Sequence, residues 1–325
     1  MRRERWTALL LGSAALATLL APLGCAGVGR EPAETAAPAA TPLLWHARAP
    51  GAGDLYLLGS VHLRAVDAQA LGPEIQQAYA DANELVVEVD VSHVTPADGK
   101  ASTERYAMLP PQLTLEALIS PETRELLARY VKARDLPADQ IQRYKPWFIA
   151  QLVLMTELRS SGYDAALGVD RAFIDQASGE KSIVGLETLA SQFAMLDGLS
   201  LALQELMLKD TLLRIDELEG NTRKLMQAWS EGDEAELERQ IFEPLEEAPE
   251  LEPYYDALIW QRNASMAARL VELAGDGRTR FVVLGAGHMV GAKGIPARLA
   301  EQGFVVERVL PGAAPLLPDA AGEPR

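Results

Sequence analysis

The chain has 325 residues, 48% hydrophobic and 23% charged, enough to build one large core or two smaller domains. Thirty basic residues stand against 46 acidic ones, a formal charge of −16. That balance, with no local basic patch, excludes nucleic acid as a partner, and a single cysteine excludes an intrachain disulfide.

Arg2, Arg3 and Arg5 precede an apolar run over residues 8–20 and then small residues up to Cys25, the pattern of a secretory signal peptide whose apolar stretch is too short for a membrane span. The chain is therefore expected to be exported, with residues 1–25 as the signal. Pro22-Leu23-Gly24-Cys25 resembles a bacterial lipoprotein processing site, although Pro22 stands where leucine is usual. Lipid attachment at Cys25 would hold the protein on a membrane of the cell envelope, and ordinary cleavage between residues 24 and 26 is the alternative. Residues 26–41, rich in Ala, Pro, Gly, Glu and Thr without periodicity, read as a flexible tether, and residues 311–325 as a disordered tail.

The folded part is expected over residues 42–310. Residues 43–46 and 55–59 flank a turn-rich segment and predict a hairpin. A helix over residues 71–82 and a β-branched strand over 85–89 complete a βαβ unit, whose parallel strands place Gly59 and Glu88 at one sheet edge. Residues 115–155 are mostly helical, 182–186 form a strand ending in Glu187, and 189–275 are helical with breaks near Gly220, Gly232 and Pro244. Strand 280–284, helix 295–302 and strand 304–309 close the chain. The expected fold is α/β, a mixed, largely parallel sheet core with a large helical insertion at about 189–275.

Two short strings stand out. Gly59-Ser60-Val61-His62 and Gly285-Ala286-Gly287-His288 each end a strand with glycine and set a histidine three residues later, and the chain has only four histidines. Ligands of open α/β sheets bind beyond the carboxyl ends of the parallel strands. His62, Glu88, Asp90, Glu187 and His288 all arrive at that edge. Two imidazoles and a carboxylate can hold a divalent metal that generates a nucleophilic water near pH 7, and a second carboxylate can take its proton. Gly59 and Gly285 are expected to supply positive φ or close backbone approach.

Each candidate has a plainer alternative. Glu88 could be a solvated edge residue, but its apolar flanks suggest burial, where an unpaired carboxylate is costly. Glu187 could cap the helix that follows it, and Asp170 and Gln192 could be capping or surface residues. Arg262 could clamp an anion, pair with a site carboxylate, or form a surface salt bridge. His46 and His93 read as structural or solvent-facing.

Tyr56-Leu57-Leu58-Gly59-Ser60-Val61-His62, Val87-Glu88-Val89-Asp90, Gly168-Val169-Asp170, Val184-Gly185-Leu186-Glu187 with Gln192, and residues 283–291 around His288 together resemble the TraB/GumN family. That family includes PrgY and is related to the Tiki metalloproteases. The resemblance implies a divalent-metal hydrolase with His62, His288 and Glu88 at the active site, manganese or cobalt as the metal with zinc a further candidate, and a peptide or protein substrate. TraB and PrgY are linked to shutting down peptide pheromone signalling. The alternative is a non-catalytic lipoprotein of the same fold that sequesters a peptide or another ligand between sheet and helices.

Overall fold

The computed structural model describes residues 39–312. The signal segment, Cys25, most of the tether and the tail beyond residue 312 lie outside them. Ala40 and Thr41, assigned to the tether by composition, are pinned: Ala40 is buried and exchanges backbone hydrogen bonds with Ala70 and Gly72, and Thr41 donates to Ser230. Ala40 and Thr41 therefore belong to the packed chain.

The expected hairpin forms. Strands β1 (Leu44–Arg48) and β2 (Leu55–Ser60) pair antiparallel from Leu44↔Leu58 to Ala47↔Leu55. His46, buried in β1, stacks on Tyr56 and bonds Asp54 at 2.8 Å, a structural role. A short strand β3 (Arg64–Ala65) follows, then helix Pro73–Asp81 and strand β4 (Glu84–Val89). After a helical stretch come β5 (Tyr163–Asp164), β6 (Ser182–Glu187), β7 (Arg280–Gly285) and β8 (Val305–Arg308).

The main sheet runs β6-β4-β7-β2-β1-β8, with β6, β4, β7 and β2 mutually parallel and β1 antiparallel to both its neighbours. Every residue of β2, β4 and β7 is buried, as expected of parallel strands covered on both faces. The position of β7 matters most. It inserts between β2 and β4, in register Ser60↔Gly285 with one and Val87↔Val283 with the other. Both glycine-histidine strings thus leave adjacent strands at the same level, and Glu88 stands on the far side of β7. Val89↔Glu187 pairing brings the end of β6 to that level too.

Helices Leu189–Asp197, Leu201–Leu213, Ile215–Glu231, Glu234–Glu247 and Gln261–Ala274 make the insertion. Its buried residues are continuous with those of the sheet in one core. The indole N–H of Trp229 donates to the Gly59 carbonyl at 2.8 Å, tying the insertion to β2. Of the three expected breaks only Gly232 ends a helix, at φ 65° in the left-handed region. Gly220 and Pro244 both lie inside helices. Glycine costs a helix only about 1 kcal/mol and proline removes one hydrogen bond, amounts that tertiary packing overrides. Among the described residues there are two π-turns, Thr103–Ala107 and Asp256–Trp260.

Candidate functional site

Glu88 is the centre of the site. It is only 2% exposed, and its carboxylate has donors on both oxygens: the Gly285 N–H to Oε1 at 2.7 Å, and the Arg262 guanidinium to Oε2 at 2.7 Å. Burial disfavours the charged form. Arg262, His288, His62 and the Gly285 N–H together outweigh it and hold the pKa down at about 2, so Glu88 is an anion at neutral pH.

Arg262 does more than neutralise Glu88. Its Nε and Nη2 donate to the two Glu187 oxygens at 2.8 and 2.7 Å, and Nη1 donates to the Leu258 carbonyl at 2.9 Å in the preceding π-turn. Burial works against the guanidinium, but Glu88 and Glu187 drive its pKa above the usual arginine value. Gln192 completes this layer, donating to Glu187 at 2.9 Å and lying 3.4 Å from Glu88. The surface-pair alternative for Arg262 is thereby overturned. Thr188, not Glu187, caps the helix that follows.

His62 and His288 approach Glu88 from β2 and β7. The Nε2 atom of each stands 3.8 Å from Glu88 Oε1, and both histidines are 5% exposed or less. Neither Nε2 has a hydrogen-bond partner among the described residues. Their other nitrogens differ. His288 Nδ1 lies 2.6 Å from Asn263 Oδ1, and Asn263 Nδ2 donates to the Lys293 carbonyl at 2.8 Å. With its amide nitrogen so occupied, Asn263 offers oxygen to His288, which must hold its proton on Nδ1 and keep the Nε2 lone pair free. His62 Nδ1 instead faces Asp170 Oδ1 at 3.3 Å.

This difference sends the two imidazoles in opposite directions. Burial, with help from Arg262, pushes His288 down to about 3. Burial opposes charge at His62 as well, but Asp170 and Glu88 raise its pKa above the ordinary value. A lone pair facing a carboxylate oxygen in the interior is unfavourable unless something electropositive lies between them.

Asp170 reaches His62 because Gly168 lets two loops touch. Val169 N–H donates to the Val61 carbonyl at 3.0 Å, and a Cβ at Gly168 would sit 2.6 Å from the His62 carbonyl oxygen. The short β3–β5 ladder, Arg64↔Asp164, holds the same two loops together. Gly168→Ala is expected to cost about 1–3 kcal/mol, as overpacking does, and to draw Asp170 away from His62. A thermal unfolding midpoint equal to that of the parent would show that these loops have slack.

Two sequence expectations need correction. Asp90 turns away from Glu88: it caps the short helix Val91–His93 and binds Ser92 and His93, which offer donors two and three residues on. Gly59 and Gly285 do not use left-handed backbone. Gly285 has φ −51° and ψ 138°, and a Cβ at Gly59 would meet its neighbours at an ordinary 3.4 Å. What Gly285 supplies is its N–H to Glu88. Asn263 was not singled out from sequence, although a polar pair interrupting the apolar stripe of Ile259, Met266, Ala267 and Leu270 is a visible signal.

The profile of the TraB/PrgY/gumN family matches residues 43–308. The chain belongs to that family. It is similar to the uncharacterized protein YbaP of Escherichia coli (strain K12), 26% identical over 257 residues that cover 77% of this chain and 89% of that protein, and equally to YbaP of Shigella flexneri. No solved structure matches. The TraB/PrgY/gumN match spans both glycine-histidine strings, Glu88, Asp170, Glu187 and Arg262.

The donors suit a divalent metal in type. Two buried imidazole Nε2 atoms face one carboxylate oxygen, each at 3.8 Å, a combination of donors of the type a divalent metal takes. Their finished geometry is another matter: among the described residues no group of three or more His, Cys, Asp or Glu stands ready to hold an ion. Glu88 already spends both oxygens on Gly285 and Arg262. No described helix is long and apolar enough to cross a membrane.

Proposed function

We propose that this TraB/PrgY/gumN member is an exported, lipid-anchored, metal-dependent hydrolase that cleaves peptide bonds. The observation that carries the reading is the convergence of two buried, unpartnered Nε2 atoms on one oxygen of Glu88. His62, His288 and Glu88 would hold the metal, manganese or cobalt by the family resemblance, with zinc a further candidate. A divalent ion held there would supply a Lewis acid for a carbonyl and a water acidified toward ~7.

The protein's own groups have separable tasks. Asn263 and Asp170 orient the imidazoles through Nδ1, which keeps each Nε2 turned toward Glu88. Glu88 serves as metal ligand or as proton acceptor, while Arg262 offsets part of the charge of Glu88 and Glu187. Gln192 holds the Glu187 side of the layer. The near-complete burial of Glu88, His62 and His288 shields them from bulk water.

The seal itself favours a second reading, a ligand-sequestering lipoprotein in which Glu88 serves only Arg262 and Gly285. Elemental analysis of protein purified without chelators, followed by cleavage profiling on a mixed peptide library, separates the two. His62→Ala and His288→Ala are each expected to abolish metal retention while leaving the circular dichroism spectrum of the folded protein. Stoichiometric metal in both variants would refute the ligand assignment, and a metal-free protein that binds peptide without cutting it would support sequestration. Membrane attachment through Cys25 is tested separately by the loss of detergent-phase partitioning in Cys25→Ala.

A further inference from the structure

A cleft of about 460 Å³ lies beside the buried site, lined by His93, Val94, Arg105, Tyr106, Thr188 and Leu189 among others. Its place in the fold is telling. Val94 and His93 follow the carboxyl end of β4 just after Glu88, and Thr188 and Leu189 follow Glu187 at the end of β6. The cleft therefore opens beyond the strand ends that carry the two Arg262-bound carboxylates, where open α/β sheets take their ligands. Its volume falls in the range of small-ligand pockets. The helix Leu189–Asp197 joins the two places, its first residue lining the cleft and its Gln192 reaching Glu187 and Glu88.

The charges lining the cleft are unequal. Asp98 is committed to a capping box, accepting from the Thr95 N–H at 2.9 Å and the Thr95 hydroxyl at 2.6 Å. His93 is held by Asp90 through Nδ1 at 2.6 Å. The neighbouring Glu104 is paired with Lys100. Arg105 lies over the Tyr106 ring, 5.1 Å from its centroid, and makes no ion pair among the described residues. Both residues sit in the π-turn Thr103–Ala107, an irregularity that recurs at functional sites. In a chain of formal charge −16, an unpaired guanidinium in a cleft is a local exception to a field that repels acidic ligands. Its planar fork matches a carboxylate at two points.

We propose that this cleft is a subsite for a peptide carboxylate, which Arg105 binds while the adjoining peptide chain lies against Tyr106, Val94 and Leu189. The proposal rests on the peptidase reading only for its purpose: the cleft would hold the part of the substrate that flanks the bond presented to Glu88. The carboxylate could be a chain terminus or an Asp or Glu side chain.

The test uses the full protein as purified and mixed-sequence hexapeptides, each labelled with an uncharged fluorophore that carries no carboxylate, in three forms: a free C-terminus without acidic side chains, a C-terminal amide without acidic side chains, and a C-terminal amide carrying one glutamate. Anisotropy gives each Kd, and mass spectrometry of the same mixtures reports cleavage. At least one carboxylate-bearing form is expected to bind about tenfold more tightly than the neutral amide, and which one identifies the source. Arg105→Ala should collapse that ratio toward one, and Arg105→Lys should retain part of it. Because Arg105 is exposed, both variants should fold as the parent does. An acid preference that survives Arg105→Ala, or no preference in the parent, overturns the subsite. Cleavage without an Arg105-dependent preference would sink the subsite alone, whereas the preference without cleavage would sink the peptidase reading and leave the subsite standing.

Discussion

Arg262→Met is expected to lower the thermal unfolding midpoint by on the order of 10 °C. Removing one partner of a buried ion pair costs about 3–5 kcal/mol, and each kcal/mol shifts a domain of this size by about 2–4 °C. The cost is high here because one guanidinium serves two carboxylates, Glu88 at 2.7 Å and Glu187 at 2.7 and 2.8 Å, and methionine leaves both without their counterion. Arg262→Lys should recover little, since an ammonium cannot span both Glu187 oxygens while reaching Glu88. Differential scanning calorimetry of the three proteins at one buffer composition measures this. A midpoint within 2–3 °C of the parent for Arg262→Met would mean that the pair is far less desolvated than its burial indicates.

Glu88→Gln is expected to reduce peptide hydrolysis by about 10²- to 10⁴-fold, the usual worth of a positioned acid–base group, and to weaken metal retention with it. The fold should survive at a cost of about 1–3 kcal/mol. Glutamine still offers an oxygen to the Gly285 N–H, and Arg262 keeps both Glu187 contacts. The pair of measurements is informative because the two variants separate differently: Arg262→Met fails mainly in stability, Glu88→Gln mainly in turnover. Full hydrolysis by Glu88→Gln would remove Glu88 from the chemistry.

Much of this site was legible because strand ends announce themselves. Apolar runs located β2, β4 and β7, closed by glycine in β2 and β7, and their parallel sense brought His62, Glu88 and His288 to one edge. Strand order was not legible, since nothing local tells β7 to lie between β2 and β4; that follows from which buried faces match across the whole sheet. Local competition explains Asp90, whose nearest donors are its own neighbours. Helix breaks at Gly220 and Pro244 were expected from propensities worth a few kcal/mol at most, which packing exceeds. Asn263 escaped because its meaning depends on His288, twenty-five residues away.

The central placement of β7 also has a consequence in time. Ser60 must wait for Gly285, more than two hundred residues downstream, before β2 gains its inner neighbour, and β4 waits for the same strand. Pairings of such sequence separation form late, because a long loop must close before any contact rewards it. Until then Glu88 lacks the Gly285 N–H, and the two histidines have no common target. A chain emerging from its amino end would carry only half of the site. The site is thereby incomplete until nearly the last of the folded chain has arrived.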